Sequence, residues 1–203
     1  MLNFKPITRI ITDPCLVYEF TEALPNWVVK AGEEYFKKFT FEYGHHAVSL
    51  DDGEPYFGKM IFLREEGIDQ HCPTLVQNLC DCLQLSILPQ IDPNGKFVEL
   101  QRIAVNGQTQ TQSPCAHIDT STDLNLWTAV YYVNDSSGDT VFYKSITNLE
   151  ETNRIKFQQG KLIVFPASFC HRALAPNSGW RISIGITFEW HTSLSKNYKR
   201  DIL

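Results

Sequence analysis

The chain has 203 residues, 43% hydrophobic and 20% charged, the balance of an ordinary globular protein with length enough for one sizeable core. Its formal net charge of −5 argues against an extended nucleic-acid face, which phosphates would select to be basic. No apolar run approaches the ~20 residues that cross a bilayer, and Met1 to Pro6 lack the apolar stretch of a secretory signal, so a cytoplasmic protein without a membrane partner is expected.

Ile7 to Ile11 and Leu16 to Phe20 read as short strands around Asp13-Pro14. From Glu22 to Phe39 the apolar residues Leu24, Trp27, Val28, Ala31, Tyr35, Phe36 and Phe39 recur at three and four, one face of a helix with Pro25 in its first turn. Thr40 to Gly58 shows no period and reads as loop. Lys59 to Leu63 reads as strand. Pro73 opens a second helix, with Leu75, Val76, Leu79, Leu83 and Leu85 along one side, expected to stop before Pro89. Asp92 to Gly95 is a turn. The texture then changes. Lys96 to Val105, Trp127 to Val133, Thr140 to Tyr143, Lys161 to Phe165 and Arg181 to Trp190 are strand candidates. Asn106-Gly107, Asn134 to Asp139, Gln159-Gly160 and Pro176 to Gly179 are the turns between them. The expected architecture is α+β but mainly β: a jelly roll, or double-stranded β-helix, with the N-terminal helices packed outside it. Residues 1–203 are expected to form one domain, with 1–95 as an extension and 96–203 as the catalytic part.

Six cysteines, Cys15, Cys72, Cys80, Cys82, Cys115 and Cys170, invite a disulfide framework, but a chain of this length does not need one. On a helix, Cys80 and Cys82 would point roughly 200° apart and could not chelate one ion. Reduced, mostly buried thiols are expected.

The chemistry centres on His117-Ile118-Asp119. In a strand, residues two apart share a face, so an imidazole and a carboxylate would point together at one metal ion. The motif is short, and a hydrogen-bonded His/Asp pair at a strand end explains it equally well. His171 lies 54 residues on (171 − 117), directly after the β run Lys161 to Pro166. Two His and one carboxylate are the facial triad of non-haem Fe(II) oxygenases, which leaves open positions for a bidentate co-substrate and dioxygen. A structural zinc site would want a fourth protein ligand. Arg181, at the head of an apolar strand, suits bidentate capture of a carboxylate, with Ser183 two residues on and on the same face. A salt bridge within the fold is the plainer account of that arginine. Cys115 shares the His117 face if the strand is regular. His45-His46 could line an entrance or simply face water. His71 and His191 show no partner.

His117-x-Asp119, His171 and Arg181, in this order and spacing, resemble the 2-oxoglutarate/Fe(II) dioxygenases, and most closely their prolyl 4-hydroxylase-like branch. Thr128 to Asn134 is similar to the strand after the metal dyad of that branch. Gly138-Asp139-Thr140-Val141-Phe142 is similar to its Gly-Gly-x-Thr-x-Phe turn, and Lys161 to Phe165 to the strand before the second His. The likeness spans roughly Phe97 to Trp190. It implies a double-stranded β-helix with Fe(II) on His117, Asp119 and His171. It also implies 2-oxoglutarate as co-substrate, its distal carboxylate on Arg181 and Tyr132 with Ser183 nearby, and ascorbate as a reductant. The implied reaction hydroxylates a prolyl residue of a peptide or protein, or a small amino-acid-like metabolite, and releases succinate and CO2. No catalytic side chain beyond the iron site is implied. The retained Asp119 points away from the halogenases, and Glu189-Trp190 after the Arg181 strand points away from nucleic-acid demethylases. One departure is that the tyrosine these relatives carry before the dyad is missing from Ala104-Val105-Asn106-Gly107. Gln101 or Gln108 is expected to complete the pocket instead. A bacterial or phage origin fits the resemblance. A non-catalytic jelly-roll binding module and a cupin-type metal enzyme remain the alternatives from other classes.

Overall fold

The computed structural model describes residues 7–11, 16–46, 55–69, 72–120 and 125–196; Cys15 and His71 lie outside these. Strands β1 (Ile7–Ile11) and β2 (Val17–Thr21) form an antiparallel hairpin. Helix α1 (Asn26–Phe36) starts later than the periodicity suggested. Glu22 has a φ of +60°, a left-handed conformation from which a right-handed helix cannot begin, and Pro25 sits extended just outside the first turn. The buried face is also rotated. Val28, Val29, Gly32 and Phe36 face inward, whereas Trp27, Ala31 and Tyr35 are exposed. Gly32 sets this face, because any Cβ there would collide with the Leu75 side chain.

Strands β3 (Glu42–His45), β4 (Tyr56–Leu63) and β5 (Ile68–Asp69) follow. The expected loop from Thr40 to Gly58 is thus partly strand. Its glycines hid the alternation, and pairing across the sheet supplies the hydrogen bonds instead. Helix α2 (Thr74–Cys82) opens after Pro73. It does not stop before Pro89: a π-helical turn, Leu83–Ile87, carries it into α3 (Leu88–Ile91). The wider turn routes the Leu88 N–H to the Leu83 carbonyl, so the chain passes the residue that has no N–H to give. Leu75, Val76, Leu79 and Leu83 are buried, but Leu85 is 76% exposed. Cys82 donates to the Ala23 carbonyl, and burial pushes the Cys80 thiol up to about 12. All five described cysteines are free. Cys170 is buried and Cys72, Cys80 and Cys82 are half-buried, while Cys115 is exposed, contrary to expectation.

The remaining strands are β6 (Lys96–Gln108), β7 (Leu126–Tyr132), β8 (Thr140–Tyr143), β9 (Glu151–Ile155), β10 (Leu162–Pro166), β11 (His171–Ala173) and β12 (Arg181–His191). Asn106-Gly107 is no turn but lies within β6, paired on both sides. Its glycine serves close approach: a Cβ would sit 3.0 Å from the Trp180 ring.

Nine strands form one antiparallel sheet in the order β1-β2-β10-β7-β12-β6-β4-β3, with β5 on β4; β11-β8-β9 form a second sheet. This is a double-stranded β-helix. The two-residue period assigns the faces. On β12, Ile182, Ile184, Ile186 and Phe188 join Trp127, Tyr131, Leu162 and Val164 in a core shared with Val28, Phe36, Val76 and Leu79 of the helices. The helices therefore cover one face of the large sheet. The opposite face meets the small sheet through Tyr132, Phe142, Phe157, Ile163 and Phe165. What remains of that inner face, between the two sheets, is the pocket. Among the described residues no helix is long and apolar enough to cross a membrane.

Candidate metal centre and its pocket

His117 and Asp119 do not lie in a regular strand. His117 forms a single bridge with His171, each backbone N–H donating to the other's carbonyl at 2.9 and 2.8 Å. Asp119 follows in a bend, its N–H donating to the Ala167 carbonyl at 2.9 Å. The expected proximity thus arises from a cross-chain bridge rather than from strand alternation. It places the His117 and His171 rings 4.5 Å apart between centroids.

Both imidazoles are oriented alike. Nδ1 of His117 bonds the Cys115 carbonyl at 3.1 Å, and Nδ1 of His171 bonds the Phe169 carbonyl at 2.9 Å. This leaves both Nε2 atoms facing Asp119, at 3.9 Å from Oδ1 and 4.0 Å from Oδ2. One ligand atom from each of the three residues lies within 4.8 Å of the others. Neighbouring ligands about 2.1 Å from one ion lie roughly 3 Å apart, so the His–Asp separations of 3.9 and 4.0 Å need close by only about 1 Å for these donors to hold a divalent transition metal. A backbone carbonyl on the second nitrogen of each His is the usual way to fix a metal-binding tautomer. Asp119 is held as a carboxylate. Burial pushes it toward neutrality, but His171, His117, the Thr128 hydroxyl and Arg102 outweigh that and keep it below its usual range. Burial, and then His117, push the His171 imidazole down to about 4, so it is unprotonated near neutrality.

From this triad a pocket runs along the inner face of the large sheet. Strand pairing arranges its floor in rows. Gln108 lies beside Arg181, Asn106 beside Ser183 and Tyr132, Ala104 beside Gly185 and Val130, and Arg102 beside Thr187 and Thr128. The Thr128 hydroxyl donates to Asp119 Oδ2 at 2.6 Å, so the last row carries the carboxylate of the His-Asp-His group.

Arg181 closes the far end. Its Nε donates to the Gly138 carbonyl at 2.8 Å, and its terminal nitrogens to Gln108 Oε1 at 2.9 Å, Thr140 Oγ1 at 3.0 Å and Ser183 Oγ at 3.2 Å. Its guanidinium also lies 4.5 Å from the centre of the Phe157 ring. All these partners are neutral, and among the described residues no carboxylate comes within ion-pair distance. Burial pushes Arg181 down to about 10, yet it stays charged near neutrality. A buried cation without a counter-ion is costly, and an anion in the pocket offsets that cost. The salt bridge within the fold, the plainer account of Arg181, is not what the described residues form.

Other expected residues fall as follows. Tyr132 is fully buried and does not line the pocket; its hydroxyl donates to Thr140 Oγ1 at 2.7 Å and its ring stacks on Phe157. It supports Arg181 through Thr140. Gln108 braces Arg181 and lines the pocket, while Gln101 donates to Glu99 outside it. Cys115 is not part of the lining. The His45 ring lies 6.0 Å from that of Tyr56, a pocket residue, and His191 pairs with Glu189. Sequence reasoning missed Tyr56, Arg102, Asn106, Thr128 and Thr140 as pocket residues. The last two were legible, since each lies in a motif already singled out and Thr128 shares the parity of Tyr132.

Neither models of protein families nor curated proteins match this chain. Solved structures do. A prolyl-4-hydroxylase of Pseudomonas putida superposes with a TM-score of 0.59 at 17% identity, over 85% of this chain and 91% of that one. An oxidoreductase of the 2OG-Fe(II) oxygenase family from Burkholderia pseudomallei gives 0.65 at 11%, over 85% and 84%. A prolyl hydroxylase of Trichoplax adhaerens, solved with a hypoxia-inducible-factor degradation-domain peptide, gives 0.60 at 15%, over 85% and 83%. The chain has the double-stranded β-helix fold of the 2-oxoglutarate/Fe(II) oxygenases, prolyl hydroxylases among them. The His-Asp-His group lies in this fold at one end of an inter-sheet pocket.

Proposed function

We propose that this chain is an Fe(II)- and 2-oxoglutarate-dependent dioxygenase that hydroxylates a C–H bond, with succinate and CO2 as co-products. One observation carries the reading: a buried, charged arginine without a carboxylate partner among the described residues shares a pocket with a three-residue group able to hold a metal. A bare metal-binding jelly roll has no use for Arg181, and a cupin-type metal enzyme leaves it equally unexplained. A dicarboxylate co-substrate, with one end at the metal and the other on Arg181, uses both.

His117, Asp119 and His171 would hold the iron, which supplies oxygen activation when bound. The carbonyls of Cys115 and Phe169 keep both Nε2 atoms available as donors. Thr128 fixes the carboxylate rotamer. Arg181 offers its charge and its one uncommitted N–H to the distal carboxylate, held in place by Gln108, Gly138 and Thr140, with the Ser183 hydroxyl at hand. Tyr132 stacked on Phe157, with Phe142 in the same buried cluster, keeps water out behind this end. No side chain need act as a general base at the substrate carbon. A prolyl residue in a peptide, the kind of substrate suggested by the peptide seen with the Trichoplax enzyme, and a small amino-acid-like molecule are the two substrate classes supported.

The test is succinate formation dependent on both Fe(II) and 2-oxoglutarate, together with direct binding of 2-oxoglutarate to the Mn(II)-loaded protein. His117→Ala should abolish turnover. Arg181→Ala should weaken 2-oxoglutarate binding by roughly ten- to 150-fold, the loss of a charge-assisted hydrogen bond. Undiminished turnover in the first variant, or unchanged affinity in the second, overturns the assignment.

A further inference from the structure

We propose that Arg102 anchors a carboxylate of the primary substrate, so that the enzyme acts on molecules or chain ends bearing a free carboxylate rather than on internal peptidyl residues. This rests on the oxygenase reading above and narrows its substrate class.

Arg102 lines the same pocket as the triad and Arg181. It lies opposite Thr187 on β12, six residues from Arg181, so the two arginines are rooted about 20 Å apart along the sheet. Arg181 stands at one end of the floor. Arg102 stands at the other, in the row that carries Thr128 and, through it, Asp119. A single five-carbon dicarboxylate reaching from the metal to Arg181 leaves Arg102 untouched.

Arg102 acts on Asp119 through space, but that carboxylate serves the metal in this reading and leaves Arg102 no counter-ion of its own among the described residues. Glu99, its nearest carboxylate in sequence, is held by Arg64 at 2.8 Å and by Gln101 at 2.9 Å. The strand pairing skips Gln101, a bulge that separates Glu99 from the pocket-facing run. Among the described residues, no carboxylate lies within ion-pair distance of Arg102. Among the described residues, Asp119, the metal ligand, is the single carboxylate in the pocket lining.

The charge balance points the same way. A divalent ion on two neutral imidazoles and one carboxylate keeps one positive charge, and the two arginines raise this to three. A dicarboxylate co-substrate cancels two. The charge left over lies at the Arg102 end of a sheltered pocket, where a monoanion is the complementary ligand. The floor between leaves room for it. Ala104 and Gly185 are the small residues of the middle row, and a Cβ on Gly185 would come no nearer than 3.7 Å to another residue.

The test pairs each standard L-amino acid with its carboxamide, and short proline-ended peptides with free and amidated C-termini. Succinate release is measured first. Binding of each active acid to the Mn(II)- and 2-oxoglutarate-loaded protein is then measured by calorimetry. Acids should outperform their amides, with the amino acids and peptides telling a free metabolite from a chain end. Arg102→Gln should weaken binding of the active acid about ten- to a hundredfold, one charge-assisted contact, and erase the preference over its amide. Arg102→Lys should restore part of it. Amides or internal prolyl peptides that serve as well as acids overturn the proposal, as does a screen in which no acid exceeds its amide. A loss of 2-oxoglutarate affinity in Arg102→Gln as large as in Arg181→Ala would assign Arg102 to the co-substrate and also overturn it. Failure of the wild-type protein to bind 2-oxoglutarate at all marks the separate failure of the oxygenase reading.

Discussion

Thr128→Val tests whether the carboxylate of the triad is positioned from the sheet. Thr128 is buried, and its hydroxyl donates to Asp119 Oδ2 at 2.6 Å. Valine keeps the branched shape and strand preference but removes the donor. A hydrogen bond to a charged group is worth about 1.5–3 kcal/mol. Asp119 is only 10% exposed, so water does not take over the contact. At about 1.4 kcal/mol per tenfold, metal affinity should fall roughly ten- to 150-fold, the range found when partners behind metal ligands are removed. Anaerobic Fe(II) titration, or Mn(II) titration followed by electron paramagnetic resonance, measures it. Thr128→Ser, which keeps the hydroxyl, should lose far less. A Thr128→Val protein that melts normally and binds metal within twofold of wild type refutes the reasoning.

Gly138→Ala should loosen the co-substrate end without touching the metal. The new Cβ would collide with the Leu174 carbonyl oxygen and come within 2.9 Å of the Arg181 Cδ. A stability loss of about 1–3 kcal/mol and weaker 2-oxoglutarate binding are expected; unchanged co-substrate affinity with intact metal binding contradicts this. Acid should destabilise the metal-free protein between pH 6.5 and about 4. Unfolded His171 takes a proton near 6.5, whereas the folded imidazole is pushed down to about 4. The unfolded state binds more protons in that window, so stability rises with pH across it. The dependence should flatten in His171→Gln, and equal slopes of melting temperature against pH in the two proteins would rule out His171 as the source.

Much of the fold was legible because two-residue alternation survives in β7, β10 and β12. Their helix-facing positions are apolar, so the β-rich second half could be read from local pattern alone. Where the pattern was broken, sequence reading failed for specific reasons. Gly107 marked a close approach to Trp180 rather than a turn. Pro89 was passed by a π-turn. The inward face of α1 was set by contact with Leu75, which lies more than forty residues away.

The sequence by itself determined the donor types at the site: two imidazoles, one carboxylate and an arginine heading an apolar strand. Local chemistry and order along the chain carry that information. Only the tertiary structure decided how they meet. His117 reaches His171 through a bridge between distant segments, and Thr128 reaches Asp119 across the inner face of the sheet. Which arginines lack a carboxylate was likewise a tertiary matter, because pairing depends on what each strand brings alongside. Arg64 meets Glu99 and forms an ordinary surface ion pair. Arg102 and Arg181 line the pocket with no carboxylate at ion-pair distance among the described residues, and that difference is what points to anionic ligands.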